Sequence, residues 1–194
     1  SSAASDVYKR QLFDIEDAIT EVNLFKQHGG GCIVDATSIG IARDPQGLAR
    51  VSRATGVKVV MGSSYYVGAA HPPEVELATP EDLTRSIVRD IQEGAQGTDI
   101  KAGIIGEVGC SWPLTEHERK VLEASARAQQ ITGAPLLIHP GRGEKAPIEI
   151  LDILSKSGGD LARTINGHID RTVFSKDKLK QIAETGCYLS LIHI

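Results

Sequence analysis

The sequence predicts an α/β fold built on a parallel sheet, and three observations carry that prediction. Short apolar, β-branched runs recur along the chain. Each follows a helix-like stretch that closes on glycine, the residue that best takes the left-handed backbone past a last helical turn. Helix starts carry their own signals, in capping residues and acidic first turns. Strands that alternate with helices make βα units, and βα units make parallel sheets.

In chain order, the runs are CIVDAT (32–37) after FKQHGGG, VKVVMGSS (57–64) after RATG, and IKAGIIGEVG (100–109) after QEGAQG. They continue with PLLIHPG (135–141) after QQITG, RTINGHID (163–170) after LSKSGG, and CYL (187–189) after AETG. Arg43 and Asp44 read as a turn before Pro45. Thr79 opens TPED, with proline at the first helical position and acids in the first turn. Thr115 opens TEHE, a capping box that Glu118 completes. Two architectures fit, an open doubly wound sheet and a (β/α)8 barrel. No GxGxxG or phosphate-loop motif follows any strand, which weakens a nucleotide-binding open sheet. In both architectures chemistry gathers at the C-terminal ends of the strands.

The 194 residues suffice for one domain with a substantial core. A hydrophobic fraction of 41% and a charged fraction of 24% are those of an ordinary soluble globular protein. The formal net charge is −4 with no basic block, which argues against nucleic acid or an anionic membrane as partner. No apolar run reaches the roughly 20 residues that span a bilayer. The three cysteines, Cys32, Cys110 and Cys187, are scattered and lack CxxC spacing, which reads as reduced thiols in a cytoplasmic protein. The ends differ from the rest. SSAASDVYKRQ (1–11) has no periodicity, and LSLIHI stops within an apolar run. Both resemble translated adapter sequence, so residues 1–11 and 190–194 read as non-native and His193 carries no meaning.

Glu107 interrupts the apolar run IIGEVGCSW (104–112), and a buried carboxylate is costly unless paired, protonated or metal-bound. His139 lies near the end of the next strand and His168 near the end of the one after. Alternation along a strand places Glu107 with Ile105 and Gly103, and His168 with Asn166 and Thr164. A carboxylate and two imidazoles at three successive strand ends make a shell for a divalent metal, zinc above all. Singly, each has an ordinary reading, as a packed histidine or a structural ion pair.

IIGEVGCSWPLTEHERKVLEASARAQQITGAPLLIHPGR, followed by INGHIDRT, closely resembles the phosphotriesterase-related proteins of the amidohydrolase superfamily. The resemblance runs from about Leu12 to Leu189 and includes VDATSIGIARDP. It implies a (β/α)8 TIM barrel holding two divalent metals, usually zinc, with Glu107 bridging both and His139 and His168 on the second. Phosphotriesterases proper use a carbamylated lysine at the bridge. Lys101 lies too far back along its strand to serve, which points to the related branch. The family pattern also has an HxH pair on the first strand and an Asp on the eighth, and neither occurs here. The resemblance therefore implies a partial barrel over residues 12–189, lacking strands 1 and 8 and most of 7, inactive by itself. For the whole protein it implies hydrolysis of small amides or esters by a metal-bridging hydroxide, with N-acyl taurine-type amides a candidate. Oligomeric state is left open.

Arg142, just past His139, reads equally as a planar fork that grips an anionic substrate end and as a solvent-facing loop arginine. Tyr65 and Tyr66, after VKVVMGSS, read equally as walls of the pocket and as residues packed against the long loop that follows. The rival chemistry is a cysteine nucleophile at Cys110, served by His139 and Glu107, which requires a lowered thiol pKa. The non-enzymatic rival is a metal-binding barrel with no turnover. His28, His71 and His117 read as surface residues.

Overall fold

A computed structural model describes residues 14–191, which build six strands in one parallel sheet. The strands are β1 (Cys32–Asp35), β2 (Lys58–Ser63), β3 (Ile104–Gly109), β4 (Leu136–His139), β5 (Thr164–Asn166) and β6 (Tyr188–Leu189). Each pairs in parallel with the next in sequence, in the order β1 to β6. A doubly wound sheet reverses its order at a switch point, and this one does not. The sheet is the arc of a (β/α)8 TIM barrel, as the partial barrel requires. Of the stretches read as non-native, 1–11 and 192–194, with His193, lie outside the described residues. Ser190 is described, and its N–H donates to the Asn166 carbonyl at 2.9 Å.

Five of the seven α-helices among the described residues begin at a side chain that caps their first turn. The seven are α1 (Ile15–Gln27), α2 (Pro45–Thr55), α3 (Glu74–Leu77), α4 (Pro80–Gln92), α5 (Glu116–Thr132), α6 (Ala146–Lys156) and α7 (Lys176–Ala183). The Asp44 carboxylate caps α2 by accepting from the Gly47 N–H. Thr79 with Asp82, and Thr115 with Glu118, close full capping boxes on α4 and α5. Left-handed glycines, Gly56 at φ 72° and Gly133 at φ 70°, end α2 and α5.

The core lies between the sheet and its helices. Ile87 of α4, Ile105 and Val108 of β3, Leu122 of α5, Leu136 and Ile138 of β4 and Ile150 of α6 are all fully buried within it. Each such side chain contributes about 1.5–3 kcal/mol, so the helix layer holds β3 and β4 firmly. Beside the core, Arg43 is more than a turn residue. It is buried, and its Nη1 donates to Asp90 Oδ2 at 2.7 Å and to the Gly62 carbonyl at 3.1 Å. Ser63 donates to the same Asp90 oxygen at 3.0 Å, so one ionic group ties the loop after β1 to β2 and α4. No helix among the described residues is long and apolar enough to cross a membrane.

Candidate metal centre

Glu107 reaches the concave side of the sheet through an irregularity in β3. Ile105 pairs with Leu136 and Val108 with Ile138, three residues against two. The extra residue lets Ile105 and Val108 both face the helix layer, fully buried. Glu107 turns the other way, its side chain 16% exposed. Simple alternation would have put Glu107 on the face of Ile105, and the bulge overrides it. On β4 alternation holds: Leu136 and Ile138 are buried toward the helices, and His139 points inward with Leu137. β5 ends at Asn166, and His168 takes a left-handed backbone, φ 52° and ψ 35°. It therefore leaves the face of Thr164 and Asn166, which are both fully buried, and turns back toward Glu107. Gly167 makes the turn possible, since a Cβ there would sit 2.6 Å from the Ile138 carbonyl oxygen.

The three side chains meet. Glu107 Oε2 lies 2.9 Å from His139 Nδ1, and Oε1 lies 2.7 Å from His168 Nε2. The imidazoles stand edge to face with centroids 4.8 Å apart. Burial works to raise the Glu107 carboxyl, but the hydrogen bonds from His139 and His168 and the electrostatic attraction of the two imidazoles outweigh it and hold it below the usual carboxylate range. Glu107 is thus an anion at neutral pH. Ligand-capable atoms of all three residues lie within 4.8 Å of one another. Atoms bound about 2 Å from a shared tetrahedral ion stand about 3.3 Å apart, so a small outward movement opens the cluster for a divalent cation. The donor set fits: one carboxylate, each oxygen facing a separate imidazole.

Two residues flank the cluster. Tyr66 sets its hydroxyl 3.3 Å from both ring nitrogens of His139, its ring edge-on at 5.0 Å. Burial, and then the charge of Glu107, push the Tyr66 hydroxyl above its ordinary pKa, so it stays protonated. Arg171, from the short turn after His168, donates from Nη2 to His139 Nε2 at 2.8 Å.

The phosphotriesterase family model matches residues 5–194. The chain belongs to the phosphotriesterase family. It is 51% identical over 187 residues to the phosphotriesterase-related protein of Nematostella vectensis, covering 95% of this chain and 53% of that one. It is 48% identical over 180 residues to the N-acetyltaurine hydrolase of Homo sapiens, covering 92% and 52%. A crystal structure of a resiniferatoxin-binding protein from Rhodobacter sphaeroides matches with a TM-score of 0.88 at 38% identity, over 92% of this chain and 50% of that one. The chain thus spans about half the length of the curated relatives it matches.

In this phosphotriesterase-family chain the other sequence-predicted residues fall in different places. Cys110 cannot serve as a nucleophile. It is buried, and burial first, then the charge of Glu118, raises its thiol well above the ordinary value. Its contribution is structural: the Cys110 N–H donates to the His139 carbonyl at 2.9 Å and pins the end of β4. Tyr65 packs in the core, 5% exposed, instead of walling the cluster. Consecutive residues point to opposite sides, so of the two only Tyr66 comes to the Glu107, His139 and His168 cluster. Arg142 is exposed on the loop past His139. His28 caps the end of α1 and is exposed. His71 is half-buried: its Nε2 bonds the Tyr66 carbonyl at 2.8 Å, and burial holds its pKa below the ordinary value. His117 is half-buried in the first turn of α5.

Sequence reasoning missed two contributors. Arg171 lies within INGHIDRT, three residues after His168, a spacing that one helical turn folds back toward the same point. Glu118 was legible as a cap and does more. Fully buried, it accepts from the N–H groups of Gly68, Ser111 and Thr115 and from the Ser111 hydroxyl, at 2.6–3.0 Å. It thereby ties the segment that carries Tyr66 to the loop after β3. Gly109 lets the two approach, because a Cβ there would lie 2.2 Å from the Val67 nitrogen.

Proposed function

We propose that the whole protein is a metal-dependent hydrolase of small amides or esters, with N-acyl taurine-type amides the leading substrates. The observation that carries this reading is the convergence of Glu107, His139 and His168 on one point at the C-terminal ends of β3 and β4 and just past β5. Bound there, divalent ions, zinc by donor chemistry and two by family pattern, would supply a Lewis acid for the substrate's carbonyl oxygen and lower the pKa of water. Glu107 contributes a permanent negative charge that offsets the cations. His139 and His168 contribute neutral imidazole lone pairs. Tyr66 stays protonated and presents an O–H donor at the edge of the site, where a substrate carbonyl or amide would lie. Arg142, exposed on the loop past His139, would meet an anionic substrate end arriving from solvent. The name N-acetyltaurine hydrolase, carried by a relative 48% identical, supports the amide over the phosphotriester. A cytoplasmic location goes with this reading and rests on the free thiols of Cys32, Cys110 and Cys187.

The test treats the whole protein with a chelator and, separately, with iodoacetamide. Chelation should abolish hydrolysis of N-acetyltaurine, added zinc should restore it, and iodoacetamide should leave it intact. A zinc-loaded protein that turned over no amide, ester, lactone or phosphotriester would sink the proposal.

A further inference from the structure

Arg171 poses a chemical contradiction once a metal is considered. Arginine carries N–H donors and no acceptor, so the 2.8 Å contact makes His139 Nε2 the acceptor and places the imidazole proton on Nδ1, facing Glu107. A neutral imidazole has one lone pair. Here Arg171 holds it. An imidazole that has given its lone pair to a metal keeps only an N–H on its other nitrogen, and that N–H repels a guanidinium N–H. Ligation by His139 and its hydrogen bond to Arg171 are therefore mutually exclusive. Arg171 has a second unmet demand. Its Nε is buried and has no hydrogen-bond partner among the described residues, although the side chain as a whole is only half-buried.

Resting on the hydrolase reading above, we propose that Arg171 is an exchangeable guanidinium. Without metal it stands in for the cation, occupying the His139 lone pair and offsetting the Glu107 charge. Metal binding displaces it. The released fork, with its desolvated Nε–H now matched by a free Nη2–H, then holds the anionic end of the substrate, a sulfonate or carboxylate, beside the metal ligands. A fork presents two parallel donors to two oxygens of such a group. Substrate anchoring thus becomes conditional on metal loading, because one side chain serves both states.

The experiment measures zinc affinity by chelator competition, and taurine binding by calorimetry, on the whole protein and its Arg171→Met and Arg171→Lys variants. Removing the competing cation should tighten zinc binding in Arg171→Met by about tenfold, the scale of one charge-assisted hydrogen bond. Arg171→Lys keeps the cation and should stay within about threefold of wild type. Taurine, the sulfonate probe, should bind the zinc-loaded wild type at least about tenfold more tightly than the metal-free protein or zinc-loaded Arg171→Met. Should Arg171→Met fail to fold, the wild type still decides: its Arg171 Nε–H nitrogen resonance should shift on adding zinc and again on adding taurine. Unchanged or weaker zinc affinity in a folded Arg171→Met, or a zinc-insensitive Arg171 resonance, overturns the proposal. These affinities are read without turnover. A protein that binds zinc and taurine as described yet hydrolyses nothing would end the hydrolase reading and leave the exchange standing.

Discussion

Glu118 concentrates four hydrogen bonds on one buried carboxylate, three from backbone N–H groups and one from the Ser111 hydroxyl. Burial alone would raise its pKa, but the Ser111, Gly68 and Thr115 donors outweigh burial and hold it below the usual range. The sign of its pH dependence follows. A depressed folded pKa adds stability that is fully present above the unfolded value of 4.5 and is lost as pH falls through the lower folded value. Melting temperature should therefore drop on the acid side of 4.5, and Glu118→Gln should flatten that limb. Glu118→Ala should cost about 3 kcal/mol, since it strands several buried donors. Denaturant melts at neutral pH measure that loss, and a cost below about 1 kcal/mol would show that water replaces the carboxylate. In the Glu107, His139 and His168 cluster, Glu107→Gln removes the one anion shared by both histidines. Zinc affinity should fall by more than about 100-fold, beyond what loss of an outer-shell partner costs, as read by chelator competition. An affinity within tenfold of wild type would show that the histidines hold the ion by other means.

At the scale of elements, the site depends on how β3 meets its neighbours. The bulge aims Glu107, and the loop after β2 crosses the end of β3 so closely that only glycine fits at position 109. The obstacle is backbone, the Tyr66–Val67 peptide, so it cannot yield by a rotamer change. Gly109→Ala should destabilise by about 1–3 kcal/mol, as overpacking does, and should move Tyr66 away from His139. The expected readout is a raised KM with zinc affinity little changed, because Gly109 itself ligates nothing. Wild-type stability and kinetics in Gly109→Ala would show that the loop is free to lift.

At the scale of the molecule, the sheet has two edges among the described residues, β1 and β6. Val34 on β1 is 51% exposed and Tyr188 on β6 is 65% exposed, apolar surface that a closed barrel covers. The 194-residue chain by itself should therefore associate at micromolar concentration and melt below the roughly 45–65 °C of ordinary domains. It should show no amide hydrolysis. Sedimentation and calorimetry check the first expectation, and a monomer melting cooperatively in the normal range would contradict it.

The sequence by itself determined the strand and helix order, the helix start at Thr79, the capping box at Thr115, the glycine stops at Gly56 and Gly133, and the three residues of the Glu107, His139 and His168 cluster. Those features depend on residues within a turn of one another, or on the rule that strand ends of consecutive βα units lie side by side. Only the tertiary structure decided which way the side chains point and what they meet. A bulge in β3 and a left-handed His168 reverse the faces that alternation assigns. The partnerships of Glu107 with His139 and His168 span 32 and 61 residues of chain, that of Arg43 with Asp90 spans 47, and that of Glu118 with Gly68 spans 50. Such contacts are settled by packing of the helix layer on the sheet, where a shift of one residue changes every neighbour. Local propensity has no access to that choice, which is why Arg171 on His139 was legible as letters and not as a contact.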